Sequence, residues 1–283
     1  MSYFMIALFG LVFGSFLNVC IARLPAGESI VRPRSHCPRC GHPIRWYDNI
    51  PVLSYALLGG RCRDCRARIS PLYPLVELLT ASFLVLDYAL NGPTLEFVKA
   101  AGFGMLLLVL IFTDLLDRRI PHVVTIPGIV LGLLLSVVLP LLKGQGVDAR
   151  PVDWILRRWQ MYPAPGFLSL LGSLTGALVG GGLFYAIGEA FYHVGGRKKE
   201  YLGFGDVMLM LMVGTFLGAP LTLMTMLLGS LGGSVLALIA IRAKPELREY
   251  QWPYGSFLGA AGLYVILGGK ALLEAYLRWS GVR

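Results

Sequence analysis

Two aspartates next to apolar segments have the residue type and setting for acid–base chemistry. Asp206 ends GFGD, residues 203–206, and the apolar run VMLMLMVGTFLGAP follows it, while Asp114 lies in LIFTDLLDRRIP. An ionisable side chain in a membrane segment is costly and is a functional candidate by default. Two facing carboxylates can share a proton, so that one takes a proton from water and the other donates one to a carbonyl. GFGD alone is explained equally well as a helix N-terminus with an acid in its first turn.

Four cysteines form a second group with chemical potential. They occur as two C-x2-C pairs, Cys37 with Cys40 and Cys62 with Cys65. This spacing predicts a zinc ribbon, in which four sulfurs converge at about 2.3 Å from one metal ion. Four thiolates leave no open coordination position, so the zinc would be structural. An iron–sulfur site and ligation by His36 or His42 stay open as alternatives.

The elements that position these residues are membrane helices. The 283-residue chain is 56% hydrophobic and 14% charged, whereas a soluble domain carries about 25% charged residues. Spanning helices need about 20 apolar residues. Eight segments qualify: 3–21, 72–90, 95–113, 122–142, 167–188, 204–219, 221–241 and 254–275. The predicted fold is an all-α polytopic membrane protein with about eight transmembrane helices and a small zinc-ribbon-like cytoplasmic module after the first helix.

The distribution of basic residues predicts the topology. Residues 22–71 carry nine arginines and three acids, so the positive-inside rule places this segment in the cytoplasm and both termini outside. A cytoplasmic location also disfavours disulfides between the cysteines. The net charge of +9 is spread over separate loops, which argues against nucleic-acid binding.

The same topology places Asp114 and Asp206 at one depth, near the cytoplasmic face. It separates them from two acids near outer helix ends, Asp87 and Glu274. Two acids on the inner side, Glu77 and Glu189, remain candidates, whereas Asp117 is expected to be a solvated charge. The segment GALVGGGLFYAIG, 176–188, is expected to allow close helix packing through its small residues.

In combination these motifs resemble the type IV prepilin peptidases, which are leader peptidases and N-methyltransferases. The resemblance covers nearly the whole chain. It is carried by GSFLNVCIARLP (14–25), CPRCGHPIRWYDNIPVLSYALLGGRCRDC (37–65), ISPLYPLVELLT (69–80), FTDLLDRRIP (112–121) and GFGDVMLM (203–210). The GxGD motif alone is shared with presenilin-like intramembrane proteases.

The resemblance implies a bacterial inner-membrane aspartyl protease in which Asp114 and Asp206 are catalytic. Its substrates would be prepilins or pseudopilins of type IV pilus or type II secretion systems, cleaved after Gly on the cytoplasmic side. The new N-terminal residue, usually Phe, would be methylated from S-adenosylmethionine. The resemblance also implies that the zinc is bound by Cys37, Cys40, Cys62 and Cys65.

The implied domains are a first transmembrane helix (1–21), a zinc-binding module (22–71) and a seven-helix aspartyl peptidase domain (72–283). The cofactor-binding residues stay unknown, because the chain has no glycine-rich Rossmann turn with a downstream acid. The first loop, with Glu77 at its membrane edge, is the expected neighbourhood of that site.

Two positions depart from the family pattern. Met208 stands where members often have Lys, and the second acid after Asp114 comes one position later, at Asp117. A presenilin-like protease is the first alternative, but it would need a late Pro-Ala-Leu segment where this chain has WPYGSFL, 252–258. A proton-coupled transporter is the second, but such proteins often show repeats and broken helices at mid-membrane. The sequence leaves open the pilin served and the oligomeric state.

Overall fold

The computed structural model describes residues 2–142, 146–194 and 203–281. Within these ranges the chain forms helices, turns and two isolated β-bridges, and no β-strand. The helices are α1 (Tyr3–Arg23), α2 (Leu53–Leu57), α3 (Leu72–Asn91), α4 (Leu95–Asp117), α5 (His122–Leu141), α6 (Arg150–Arg158), α7 (Pro165–Ala177), α8 (Leu183–Val194), α9 (Phe204–Leu217), α10 (Ala219–Ala243) and α11 (Tyr254–Trp279). The predicted all-α membrane fold is confirmed.

Seven helical segments of the described chain are long and apolar enough to cross a membrane. One of them joins α7 to α8 through a π-helical turn, Leu178–Gly182. The remaining predicted span, 204–219, is the 14-residue helix α9, which rises only about 21 Å at 1.5 Å per residue, short of a bilayer core of about 30 Å. Its length is limited by glycines at both ends, Gly203 as the N-terminal cap and Gly218 at φ 76°.

Contacts divide the chain into two compact units, Met1–Val109 and Leu110–Arg283. In the first unit, α1 packs on α3 through Gly14 and Asn18, which lie one helical turn apart on α1. A Cβ on Gly14 would lie 2.6 Å from the Cα of Glu77, so only glycine allows this approach. One turn later the side-chain amide of Asn18 donates to the backbone oxygen of Tyr73 at 3.0 Å, which sets the register of the pair.

In the second unit, α9 packs against α5 and α7. Cβ atoms on Gly176 or Gly214 would collide with the backbone of the partner helix, and one on Gly180 would collide with the Met210 carbonyl. The hydroxyl of Ser173 donates to the Thr215 carbonyl at 2.7 Å. The predicted close packing by this glycine-rich segment is confirmed for Gly176 and Gly180.

The sequence between α5 and α7 predicts an outer loop, 143–165, with a short helix at VDWILRRW, 152–159. Its residues 143–145 lie outside the described ranges. The short helix is confirmed as α6, where Arg157 pairs with Asp153 at 2.8 Å.

The α7–α9 contact yields a stability prediction. Gly214→Ala should lower the unfolding midpoint in detergent, because the added methyl meets the Gly176 backbone, and overpacking costs about 1–3 kcal/mol. Gly232→Ala on α10 is the matched control, since no atom lies within 4 Å of its added Cβ. Thermal unfolding followed by circular dichroism checks both. Equal midpoints for the two variants would contradict the packing argument.

Candidate active site and metal centre

The last turn of α4 and the first turn of α9 bring the two predicted catalytic aspartates together. Asp114 is buried, with 6% of its surface exposed, and Asp206 is partly buried. A Cβ on Gly255 of α11 would lie 3.1 Å from Asp114 Oδ2 and 3.1 Å from Asp206 Oδ1. These two carboxylate oxygens are therefore no farther apart than twice that distance. One water molecule or one carbonyl oxygen could contact both.

The glycines of GFGD explain how Asp206 reaches this position. Gly203 caps α9 in an extended conformation, and the Asp206 N–H donates to its carbonyl at 3.0 Å. A Cβ on Gly205 would lie only 2.9 Å from the Cβ of Ile120, in the turn after α4. The missing side chain at Gly205 therefore allows the start of α9 to approach the end of α4.

The start of α11 contributes a residue that the sequence analysis did not identify. The backbone N–H and the hydroxyl of Ser256 both donate to Asp114 Oδ2, at 2.6 Å and 2.9 Å. The Ser256 hydroxyl also lies 2.9 Å from the Ile111 carbonyl oxygen. The segment WPYGSFL, 252–258, opens the last predicted span. The polar residue in its first turn was the available signal.

The other acidic candidates have different surroundings. Glu189 pairs with His193 at 2.9 Å on an exposed surface. Glu274 is exposed, and Asp117 is exposed as expected of a solvated charge. Asp87 accepts from the Asn91 amide at 2.7 Å. Met208 follows Asp206 by two positions and so does not share its helix face.

The four cysteines converge within the first unit. Their sulfur atoms all lie within 4.8 Å of one another, and the sulfurs of Cys37 and Cys65 are 3.8 Å apart. Tetrahedral coordination with zinc–sulfur bonds of about 2.3 Å requires sulfurs about 3.8 Å apart. The predicted four-cysteine cluster is thus present, and its donor set fits structural zinc.

The two C-x2-C segments have the same backbone fold. The N–H of Cys37 donates to the His42 carbonyl at 2.9 Å, and that of Cys62 donates to the Ala67 carbonyl at 2.8 Å. The residue after each second cysteine has positive φ, at Gly41 (72°) and Arg66 (57°). These matching turns aim both pairs of sulfurs at one point.

Electrostatics favours a bound cation in this cluster. The backbone N–H groups of Cys40 and Arg39 lower the pKa of Cys37 to about 6. At Cys40 the His42 N–H acts in the same direction, but desolvation and the charge of Cys37 raise the pKa to about 12. A divalent cation would relieve this repulsion and hold all four sulfurs as thiolates.

An ion pair ties the segment between the knuckles to the second knuckle. The Arg63 guanidinium contacts both carboxylate oxygens of Asp48, with a shortest distance of 2.6 Å. Hydrogen bonding to Arg63 holds the pKa of Asp48 below its usual range. The carboxylate of Asp48 therefore stays ionised and can orient Arg63.

The first unit also contains a cavity of about 550 Å³, within the range of 300–1,000 Å³ that is typical of small-molecule sites. Its lining combines carboxylates, cations and aromatic rings, among them Arg23, Glu28, Tyr55, Tyr73 and Glu77, with the side-chain amide of Asn18. Glu77 is 7% exposed and accepts a hydrogen bond from the Val52 N–H at 2.7 Å. That contact stabilises Val52 at φ 59°, a strained conformation for a β-branched residue.

Comparisons with known proteins agree with these features. Residues 8–90 match the bacterial peptidase A24 N-terminal domain, and residues 101–238 match the type IV leader peptidase family. Over 248 residues the chain is 40% identical to the prepilin leader peptidase/N-methyltransferase of Myxococcus xanthus, covering 86% of this chain and 65% of that protein. The protein of the same name in Pseudomonas aeruginosa is 33% identical over 98% of this chain and 93% of its own length. The one in Aeromonas hydrophila is 32% identical over 96% of this chain and 93% of its own length. No solved structure matches.

The cysteine cluster yields a metal-binding prediction. Purified protein should contain one zinc ion per chain, and Cys62→Ser should lose it, because a missing thiolate breaks the tetrahedral donor set. Elemental analysis by mass spectrometry measures the zinc. Cys20→Ser is the matched control, since Cys20 is a buried residue of α1 outside the cluster. Full zinc content in Cys62→Ser would contradict the assignment.

Proposed function

Because the chain belongs to the type IV leader peptidase family, we propose that it cleaves the leader of prepilins or pseudopilins and methylates the new N-terminus. The main support is that Asp114 Oδ2 and Asp206 Oδ1 lie at the same distance, 3.1 Å, from the position that a Cβ on Gly255 would occupy. Two carboxylates in that arrangement suit peptide hydrolysis by activated water.

The chemistry assigns complementary roles to the two carboxyl groups. The ionised one accepts a proton from water as the water oxygen bonds to the scissile carbonyl carbon. The protonated one donates its proton to the carbonyl oxygen. When the tetrahedral intermediate collapses, the C–N bond breaks and the leaving amine takes a proton. Glycine at position 255 leaves room for this intermediate next to both carboxylates.

Charge supports a leader with basic residues as the substrate. Asp114, Asp117 and Asp206 place negative charge around the site, and complementary charge steers association and sets the register of a bound segment. Asp117 is exposed at the end of α4, where it can attract the leader without entering the chemistry. Cleavage after Gly also suits a crowded site, because the residue at the scissile bond has no side chain.

For the second activity, we propose that S-adenosylmethionine binds in the cavity of the first unit. Bound there, the cofactor would supply an electrophilic methyl group. The carboxylates of Glu28 and Glu77 suit its cationic groups. Arg23 suits its carboxylate, and the ring of Tyr55 or Tyr73 offers a stacking surface for adenine. Zinc would support this cavity structurally, since Cys37 and Cys62 are among its lining residues.

We further propose a bacterial inner-membrane location with both termini outside. The nine arginines of residues 22–71 support a cytoplasmic location for the zinc-binding module. The division into a first helix (1–21), a zinc-binding module (22–71) and a peptidase domain (72–283) remains part of this proposal. The proposed peptidase site then faces the cytoplasm, where an unprocessed leader would be.

The peptidase proposal predicts that either aspartate is indispensable. Asp114→Asn and Asp206→Asn should each reduce cleavage of a peptide with a basic leader, Gly and then Phe by about 10³-fold or more, because each removes one proton-transfer group. Mass spectrometry of the products measures this. Sealed inverted membrane vesicles should cleave added peptide, whereas sealed right-side-out vesicles should not.

Asp117→Asn is the matched control for these variants. It removes a carboxylate from the same end of α4 but leaves both proton-transfer groups, so kcat should stay near the wild-type value. An intact peptide after incubation with folded, zinc-loaded wild type would refute the peptidase proposal. Cleavage by right-side-out vesicles alone would refute the topology.

The cofactor proposal predicts separable effects. Glu77→Gln should weaken S-adenosylmethionine binding about tenfold through loss of one charge-assisted contact, while peptide cleavage continues. Glutamine keeps an oxygen that can accept from the Val52 N–H, so the cavity wall should persist. Isothermal titration calorimetry measures binding. Asp87→Asn, on the same helix but outside the cavity lining, is the control, and equal affinities in both variants would refute the assignment.

A further inference from the structure

Asp114 Oδ2 accepts two hydrogen bonds from the start of α11. Both donors come from one residue, Ser256, through its N–H at 2.6 Å and its hydroxyl at 2.9 Å. Ser256 itself is 7% exposed. The N–H belongs to the first turn of α11, where amides lack intrahelical acceptors. The Asp114 side chain of α4 thus supplies an acceptor that α11 lacks.

The Ser256 hydroxyl has one proton and two acceptors within reach. The second is the Ile111 carbonyl oxygen at 2.9 Å, on the turn of α4 that precedes Asp114. When Asp114 is ionised, the hydroxyl donates to its Oδ2. When Oδ2 carries a proton, that proton can be donated to Ser256 Oγ while the hydroxyl turns to Ile111. The same pair of oxygens therefore stays hydrogen-bonded in both protonation states.

Close packing keeps the hydroxyl within this range. Gly255 and Gly259 lie one helical turn apart on α11, and a Cβ on Gly259 would lie 2.6 Å from Ile111 Cγ1. The missing side chains let the start of α11 approach the end of α4. Ser256 is therefore held between Ile111 and Asp114 by the backbone of both helices.

We propose that Ser256 is a positioning residue of the peptidase centre, whose hydroxyl follows the protonation state of Asp114 and keeps its carboxyl group in one orientation through the reaction cycle. This inference rests on the proposed peptidase function. Each turnover changes the protonation of both aspartates. A carboxyl group that rotated away at either stage would leave the near-attack geometry on which the rate depends.

The test measures kcat and KM separately in variants of Ser256. Ser256→Ala keeps the N–H contact but removes the hydroxyl, so kcat for the leader peptide should fall about tenfold while KM stays within about twofold. Ser256→Thr restores a hydroxyl and should recover kcat to within about threefold of wild type. Ser136→Ala is the matched control, because the buried Ser136 hydroxyl donates to the Leu133 carbonyl at 2.7 Å on α5. Its kcat should be unchanged.

Three results would overturn the inference while leaving the peptidase proposal intact. They are a wild-type kcat in Ser256→Ala, equal kcat losses in Ser256→Ala and Ser136→Ala, and a Ser256→Thr variant as slow as Ser256→Ala. Absence of cleavage by the wild type would instead refute the peptidase proposal. Comparing wild type and Asp114→Asn in the same assay therefore separates the two failures.

Discussion

The hydrogen bonds from Ser256 to Asp114 are the interaction on which the geometry of the candidate active site depends. A carboxylate at the end of an apolar helix is costly unless it has partners, and the first turn of a helix has N–H groups without acceptors. Joining α4 to α11 satisfies both needs with one contact at 2.6 Å. The favourable end of the α11 dipole also faces the charge. Asp114 is therefore held in place by the element that forms one wall of the site.

Glycines make that arrangement geometrically feasible. Helices in a membrane gain little from the hydrophobic effect against one another, so they associate through close backbone contact and interhelical hydrogen bonds. Gly205 and Gly255 leave room around Ile120, and Gly255 also leaves room between the two carboxylates. Met208 lies on another face of α9 than Asp206, so its presence in place of Lys leaves this geometry unaffected.

In the first unit, the constraint is the stability of the segment between α1 and α3. A short loop of about 50 residues has too little apolar surface for a core of its own, and 22–71 contains one short α-helix, Leu53–Leu57, and two 3₁₀ turns. Two similar knuckles direct four sulfurs to one point, and the Asp48–Arg63 pair ties the second knuckle to the segment between them. Residues of α1 and α3 line the rest of the cavity next to the knuckles. A metal ion held by the four cysteines would therefore also fix part of the cavity wall.

The sequence by itself determined the membrane class, most helix bounds to within a few residues and the four-cysteine cluster, and it indicated Asp114 and Asp206 as the candidate catalytic pair. Apolar length, C-x2-C spacing and isolated acids are local patterns, and each has a direct physical cause. Tertiary structure alone decided the matching turns of the two knuckles, the cavity around Glu77 and the contacts of Ser256. These features depend on contacts between residues far apart in the chain. The polar residue in the first turn of α11 is visible in the sequence, but its partner is not, because glycine-mediated packing brings the Asp114 carboxylate within 3 Å of Ser256.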